Sequence, residues 1–482
     1  MSMSWRNAMR RALYGPDGFF VSGAGPAAHF RTSAHASPIF TSALLRLIHH
    51  LDAALGHPDR FDVVDVGAGR GELLSALAVG VSGEPARSGL ALGVSGEPAR
   101  SGRSGLIPAR AGSPETLTTT AAPGTTPGGV SSGSADASPV APVPLARRVR
   151  FTAVELAPRP ADLPDQITWT NEIPTSITGL LLATEWLDNI PLDLATHTDH
   201  NWHYLLVDPT TGTETTGEPV SQNDAAWLTT WWPLPTGQGP GTRTFVDGLD
   251  LAPQTATDGS GTTTSGFRAA RPAQGSSLTA RSRSGCPETP TDRTPTDRTP
   301  TDRTPTDRTP TDPALLRERA EIGRTRDEAW ADAVGHVDRG LALAVDYGHL
   351  RVERPIDGTL TGYRGGRQVP PVPDGSCDVT AHVAIDSVAS AGERVARCAY
   401  VLTSQREALR ALGADGGRPP LSLASADPAG YLRALASASA VAELTDPAGL
   451  GGHWWLWQPV GLPADRLPSL AALAESVDGS RG

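Results

Sequence analysis

Phe61-Asp62-Val63-Val64-Asp65-Val66-Gly67-Ala68-Gly69-Arg70-Gly71-Glu72-Leu73-Leu74 is the stretch on which the fold turns. A short β-branched run ends near a carboxylate, glycine then occupies every second position, and helix formers follow. That order describes a buried parallel strand turning into a helix over a small ligand. Glycine reaches positive φ without strain and leaves no Cβ between the backbone and a bound molecule. A dinucleotide fingerprint would place a third glycine where Glu72 stands, and a carboxylate in that first turn repels a pyrophosphate. The chain contains no lysine at all, which removes the phosphate-binding P-loop and Schiff-base chemistry together.

Composition narrows the reading further. Of 482 residues only 38% are hydrophobic, and 52 glycines with 43 prolines leave much of the chain outside any core. A net charge of −11 argues against nucleic acid as a partner, because that affinity rests on clustered positive charge. The three cysteines, Cys286, Cys377 and Cys398, have no CxxC spacing, so neither a disulfide framework nor a zinc site is expected. No apolar run approaches the roughly 20 residues that span a bilayer, and Met1 to Tyr14 lacks the apolar core of a signal peptide. The expectation is a soluble, cytoplasmic protein without membrane insertion.

Two low-complexity runs divide the chain. Gly80 to Gly89 recurs as Gly93 to Gly102, and Ser, Thr, Gly and Pro dominate to about Pro144; a second run, from about Gly237 to Pro313, ends in tandem Thr-Pro-Thr-Asp-Arg copies from Thr289. Neither run has a hydrophobic face to offset ordering entropy, so both are expected to be disordered insertions. The resulting division is 1–79, an N-terminal helical segment with the first half of the ligand-binding domain; 80–145, an insertion; 146–236, its second part with hairpin elements; 237–313, an insertion; and 314–482, the C-terminal part. Helices are expected at Trp5 to Leu13, from Pro38 along an apolar stripe to Leu55, from about Gly71 to Val79, and from Leu315 to Asp338.

Further strands end in carboxylates. Val149 to Leu156 carries Glu155, which lies about 20 residues past the glycine loop once the insertion is set aside, the place of a ribose-binding acid. Gly179 to Pro191 brings Glu185 and Asp188 together at a strand's carboxyl end, and Leu341 to Gly348 carries Asp346. Leu192 to Val207 reads as an extended segment or hairpin. On one strand His197 and His203 would share a face and His200 point away, so no metal site is expected. Trp227, Trp231 and Trp232 are expected to close a small apolar patch. Alternating strands and helices, ending in a Trp-rich strand from His453 to Val460, predict a doubly wound α/β sheet whose last strand runs antiparallel.

Asp65-x-Gly67-x-Gly69-x-Gly71 after a strand resembles the first motif of class I S-adenosylmethionine (SAM) methyltransferases. Tyr14-Gly15-Pro16-Asp17-Gly18, His29-Phe30-Arg31-Thr32-Ser33, Thr184-Glu185-Trp186-Leu187-Asp188, Asp346-Tyr347-Gly348, Gly358-Thr359-Leu360 and Asp378-Val379-Thr380-Ala381-His382 extend the likeness. Together they resemble the MidA-type family, related to the mitochondrial complex I assembly methyltransferase that modifies a protein arginine. The family often has Ser-Pro-Glu where this chain has Ser33-Ala34-His35, and Asn-Glu where it has Thr184-Glu185.

The resemblance implies a class I, Rossmann-like methyltransferase with SAM as cofactor. Asp65, Gly67, Gly69, Gly71, Glu155, Thr32 and Ser33 would bind it, and no metal would take part. It implies a protein substrate such as a respiratory-complex-type subunit. A guanidinium with a pKa above about 12 needs carboxylates to clamp it, orient a lone pair and receive a proton, and Glu185 and Asp188 are the candidates. Glu185 and Asp188 could equally hold only loop backbone or SAM. A SAM-binding assembly factor or sensor, and a small-molecule methyltransferase, stay open beside the arginine reading.

Overall fold

Phe61–Val66 forms strand β1, and every one of its residues is buried. The structure is a computed structural model that describes residues 1–22, 38–82, 142–198, 201–234, 318–414 and 416–462. All of these belong to one compact unit; a second unit, 236–317, lies outside the described residues. Thr32, Ser33, His200 and nearly all of both low-complexity runs also lie outside them.

The central sheet has seven strands: β1, β2 (Val149–Val154), β3 (Ile167–Thr170), β4 (Ile177–Thr184), β5 (Val337–Asp346), β6 (Val401–Ser404) and β7 (Trp454–Val460). Their spatial order is β6-β7-β5-β4-β1-β2-β3. Neighbours from β3 across to β5 pair in parallel, and β7 runs antiparallel to both β5 and β6. The order reverses between β1 and β4, the switch point beside which open α/β sheets hold ligands.

Alternation along the strands makes two apolar faces. Leu180, Leu182, Leu341 and Leu343 face one core with helices α1 (Pro38–Ala54) and α2 (Glu72–Ser82); Leu181, Ala183, Ala342 and Ala344 face the other with α3 (Arg324–Gly335) and α4 (Ile385–Ala396). Burial on both faces is why these strands read as nearly continuous hydrophobic runs. In α1 the stripe of Phe40, Ala43, Leu44, Leu47, Ile48 and Leu51 is buried as expected, and Pro38 occupies the first helical position.

Several expectations need correcting. Arg319–Ile322 is a strand, so the helix begins only at Arg324. This strand pairs with Asp193–Thr198, which forms a hairpin with Asn201–Val207 in a separate antiparallel sheet. The chain therefore reverses between His197 and His203, and the same-face argument for one continuous strand does not apply; His203 Nδ1 instead meets the Gly217 carbonyl at 3.2 Å. Helix α2 runs on to Ser82, past the start assigned to the insertion. Trp227 and Trp232 are buried with Leu228 and Ile322, as the tryptophan patch required.

At the return from the first insertion, Arg148 spans Asp52 with two 2.8 Å hydrogen bonds and also donates to the Val143 and Pro58 carbonyls. This buried pair fixes β2 against the end of α1 before the strand begins.

Candidate functional site

Gly67, Gly69 and Gly71 all have positive φ, and they meet different demands. A Cβ on Gly67 would approach Trp186 Cδ1 to 2.7 Å, and one on Gly71 would approach Leu163 Cδ1 to 2.6 Å. At Gly69 nothing among the described residues lies within 4 Å, so that turn faces open space. The Gly69 N–H donates to Glu155 Oε2 at 3.0 Å, while Oε1 accepts from the Leu156 and Ala157 N–H groups at 2.7 and 3.2 Å. Strand tips β1 and β2 thus share one carboxylate, 86 residues apart in sequence.

The glycine loop stands between two cavities. One, of about 740 Å³, is walled by Glu155, Tyr14, Phe20 and Trp186; the other, of about 600 Å³, by Asp65, Asp188, Tyr347, Asp378 and His453. Gly67, Gly69, Glu185 and Asn189 border both. A ligand crossing the loop would touch both chambers.

Acidic groups crowd the second chamber. Asp65 is only 2% exposed, and its Oδ1 has no hydrogen-bond partner. Burial, then the neighbouring Glu155 and Glu72, push its carboxyl up to about 7. Asp378 likewise has an unpartnered, buried Oδ1, and burial followed by Asp188 holds it well above the usual carboxylate range. Both unpartnered oxygens are enclosed by protein, and burial favours the neutral form of each carboxyl.

Asp188 and Glu185 differ although three residues separate them. Asp188 Oδ2 accepts from the Tyr347 hydroxyl and, at 2.8 Å, from Thr380 Oγ1, while Oδ1 accepts from Asn189 Nδ2 at 3.1 Å. Its backbone N–H and that of Leu187 donate to Asp346 Oδ2 at 3.2 and 3.0 Å. Burial raises the Asp188 carboxyl against the opposing pull of Tyr347, Thr380 and Arg326. Glu185 caps β4 at φ 50°, with its N–H on the Val345 carbonyl at 2.8 Å. Left-handed backbone at a non-glycine residue stores of order 1–3 kcal/mol and tends to sit at functional positions.

Sequence reasoning passed over Arg326. Buried to 1% exposure, it donates to the carbonyls of Asp188, Ile190, Ala381 and His382, clamping the Glu185–Ile190 loop to the Asp378–His382 segment. A cation in a helix's first turn opposes the macrodipole, but with the helix expected from Leu315, Arg326 lay in its middle, and nothing local marked it. Glu321 does similar work for Gly358-Thr359-Leu360: it accepts from the Thr359 and Leu360 N–H groups and, at 2.8 Å, from the Thr359 hydroxyl, which in turn accepts from the His382 N–H. Among the described residues no cluster of His, Cys, Asp or Glu is placed to hold a metal ion, and no helix is long and apolar enough to cross a membrane.

Comparisons with known proteins follow the same line. Residues 145–402 match the profile of a family described as "Putative S-adenosyl-L-methionine-dependent methyltransferase". The fold is similar to that of a COG1565 superfamily member from Burkholderia thailandensis solved with S-adenosyl-homocysteine bound: TM-score 0.55, 16% identity, covering 96% of this chain and 89% of that one. A native structure of a COG1565 superfamily protein from the same organism gives the same score and identity, covering 96% and 88%. No curated protein sequence matches.

Proposed function

Since the chain belongs to this family of SAM-dependent methyltransferases, we propose that it methylates a protein side chain, arginine first among the candidates. SAM is the cofactor, and the residues present fit it: open space over Gly69, the Glu155 carboxylate beside the loop, and an unpartnered buried oxygen on Asp65. Bound there, it supplies an electrophilic methyl group on a sulfonium. We assign Glu155 to the ribose hydroxyls, Asp65 and the loop from Gly67 through Gly71 to the cofactor's cationic end, and Thr32 and Ser33 to the same ligand. The S-adenosyl-homocysteine in the Burkholderia structure is in keeping with this.

The acidic second chamber carries the acceptor reading. A guanidinium entering between Glu185, Asp378 and the Tyr347 ring would meet carboxyl groups on a wall already short of hydrogen-bond donors. Glu185 is assigned the clamp. Asp188, engaged by Tyr347, Thr380 and Asn189, is assigned to hold the loop and orient Tyr347. The sheet order with its antiparallel β7 supports a class I, Rossmann-like assignment, and the motifs support a MidA-type enzyme acting in the cytoplasm on a respiratory-complex-type subunit.

Incubation of the purified protein with isotopically labelled SAM and lysate, followed by mass spectrometry, tests this reading. Label on arginine of one or a few proteins is expected. Stoichiometric SAM binding with no labelled acceptor would favour an assembly factor or sensor, and label on a metabolite would favour a small-molecule enzyme.

A further inference from the structure

The helix Trp5–Tyr14 comes from the start of the chain, outside the residues 145–402 matched by the family profile, yet its last residue ends at the site. Met9 and Leu13 on its inner face share a core with Leu194, Val379 and Ala381, which fixes where Tyr14 must come. Tyr14 then offers two surfaces. Its ring, 5.7 Å from that of Phe20, walls the larger chamber together with Glu155. Its hydroxyl donates to the Asn189 carbonyl at 3.2 Å, 175 residues away. Asn189 closes the turn Leu187–Asn189, and its Nδ2 donates to Asp188 Oδ1 at 3.1 Å and to the Glu185 carbonyl at 3.4 Å. One phenol thus touches the chamber assigned to SAM and, through a single residue, the loop assigned to the acceptor. Burial, then Glu155, Asp188 and Asp378, hold the phenol above its ordinary range, so it keeps the proton that it gives to the carbonyl.

We propose that Tyr14 is a positioning residue that couples the two chambers: SAM seated against its ring keeps its hydroxyl on the Asn189 carbonyl, and so keeps Glu185 where the acceptor needs it. The inference rests on the methyltransferase reading and adds an order to it, with the cofactor preparing the loop before the acceptor arrives. The ligand works by population shift, favouring the tethered loop only as far as it binds that arrangement better. A single neutral hydrogen bond limits the coupling to about tenfold. Coupling of this kind is reciprocal, so an occupied acceptor chamber tightens SAM by the same factor.

Other tethers of this loop run away from the larger chamber. Arg326 holds the Asp188 and Ile190 carbonyls, Asp346 holds the Leu187 and Asp188 N–H groups, and the Val345 carbonyl holds the Glu185 N–H. Tyr347 and Thr380 engage the Asp188 carboxyl. None of these five residues borders the larger chamber, so a ligand there leaves them untouched. Glu185, Trp186 and Asn189 do border it, which opens a second route in which SAM presses on the loop directly. Removing the Tyr14 hydroxyl alone separates the two routes.

The test uses the full chain and S-adenosyl-homocysteine, so that it does not wait on the acceptor. Tyr14→Phe keeps the ring and should bind this ligand within about threefold of wild type by calorimetry, whereas Tyr14→Ala should lose about tenfold. In the wild type, saturating ligand should slow hydrogen exchange of the 185–190 amides by up to about tenfold; in Tyr14→Phe that slowing should vanish while protection of the glycine loop persists. A merely structural role would speed exchange equally with and without ligand and leave the ligand's effect intact. With tritiated SAM and arginine-containing peptides, Tyr14→Phe should lower single-turnover transfer by about tenfold, and should lower it no further in a Glu185→Gln background. Equal slowing in wild type and Tyr14→Phe, no slowing in saturated wild type, or additive losses in the double variant would overturn the proposal while leaving the methyltransferase reading intact. Wild-type protein that binds no S-adenosyl-homocysteine would overturn both.

Discussion

The Gly69 N–H and the Glu155 carboxylate are joined by a 3.0 Å hydrogen bond that ties the first two strand tips of the sheet into one ligand cradle. Its position at the switch point, with nothing among the described residues within 4 Å of a Cβ at Gly69, is what carries the proposed assignment of this loop to the cofactor.

Gly69→Val should abolish SAM binding. The new side chain would occupy the open space above the loop and also strain a φ of 59°, costing of order 1–3 kcal/mol of stability. Calorimetry on the folded variant checks this, and tight binding would remove the loop from the cofactor site.

Glu155→Gln should weaken SAM by roughly tenfold or more, since hydrogen bonds to a charged group contribute about 1.5–3 kcal/mol. Far-UV circular dichroism should stay native. Undiminished affinity would return Glu155 to the role of holding the Gly69, Leu156 and Ala157 amides.

SAM affinity should rise with pH through about 7, the value to which burial, Glu155 and Glu72 bring the Asp65 carboxyl. Below that the carboxyl is protonated and offers a cation no charge; above it the carboxylate attracts one, so binding near neutrality releases a proton. In Asp65→Asn the pH dependence should flatten at the weaker, acid-side affinity. A slope that survives in this variant would assign it to another group.

Glu185→Gln should leave SAM affinity nearly unchanged and lower methyl transfer by about tenfold or more, the mark of an interaction made in the transition state. Asp188→Asn should disturb the Tyr347 and Thr380 hydroxyls as well, and so lower thermal stability in addition to turnover. Equal turnover of Glu185→Gln and wild type would dismiss the clamp.

Asp52→Asn should cost about 3–5 kcal/mol, because it leaves the Arg148 guanidinium buried without its counter-charge. Burial raises the Asp52 carboxyl, but Arg148 and then His57 prevail and set it below its ordinary 3.8. The stabilisation is therefore full above that value and lost as pH falls through the lower, folded one. Denaturation at neutral and acidic pH should show the variant's deficit shrinking in acid.

Much of this molecule was legible in its sequence. Buried parallel strands announce themselves as apolar runs, and alternating glycines after a strand mark a ligand turn; hence β1, β2, β4 and β5, and the place of Glu155 at the tip of β2, followed from local chemistry. Arg319–Ile322 could not be foreseen as a strand, because its partner is the Asp193–Thr198 strand far upstream, and pairing energy belongs to neither segment alone. Position at the site was equally nonlocal. Nothing adjacent to Arg326 or Tyr14 marks what they touch: the first is defined by four carbonyls from two distant loops, the second by the Asn189 carbonyl 175 residues away. Sequence determined which residues could serve a methyl transfer, since glycine φ, carboxylate charge and strand burial are local properties; only the packed sheet decided which of them share a cavity, since that depends on strand order and direction.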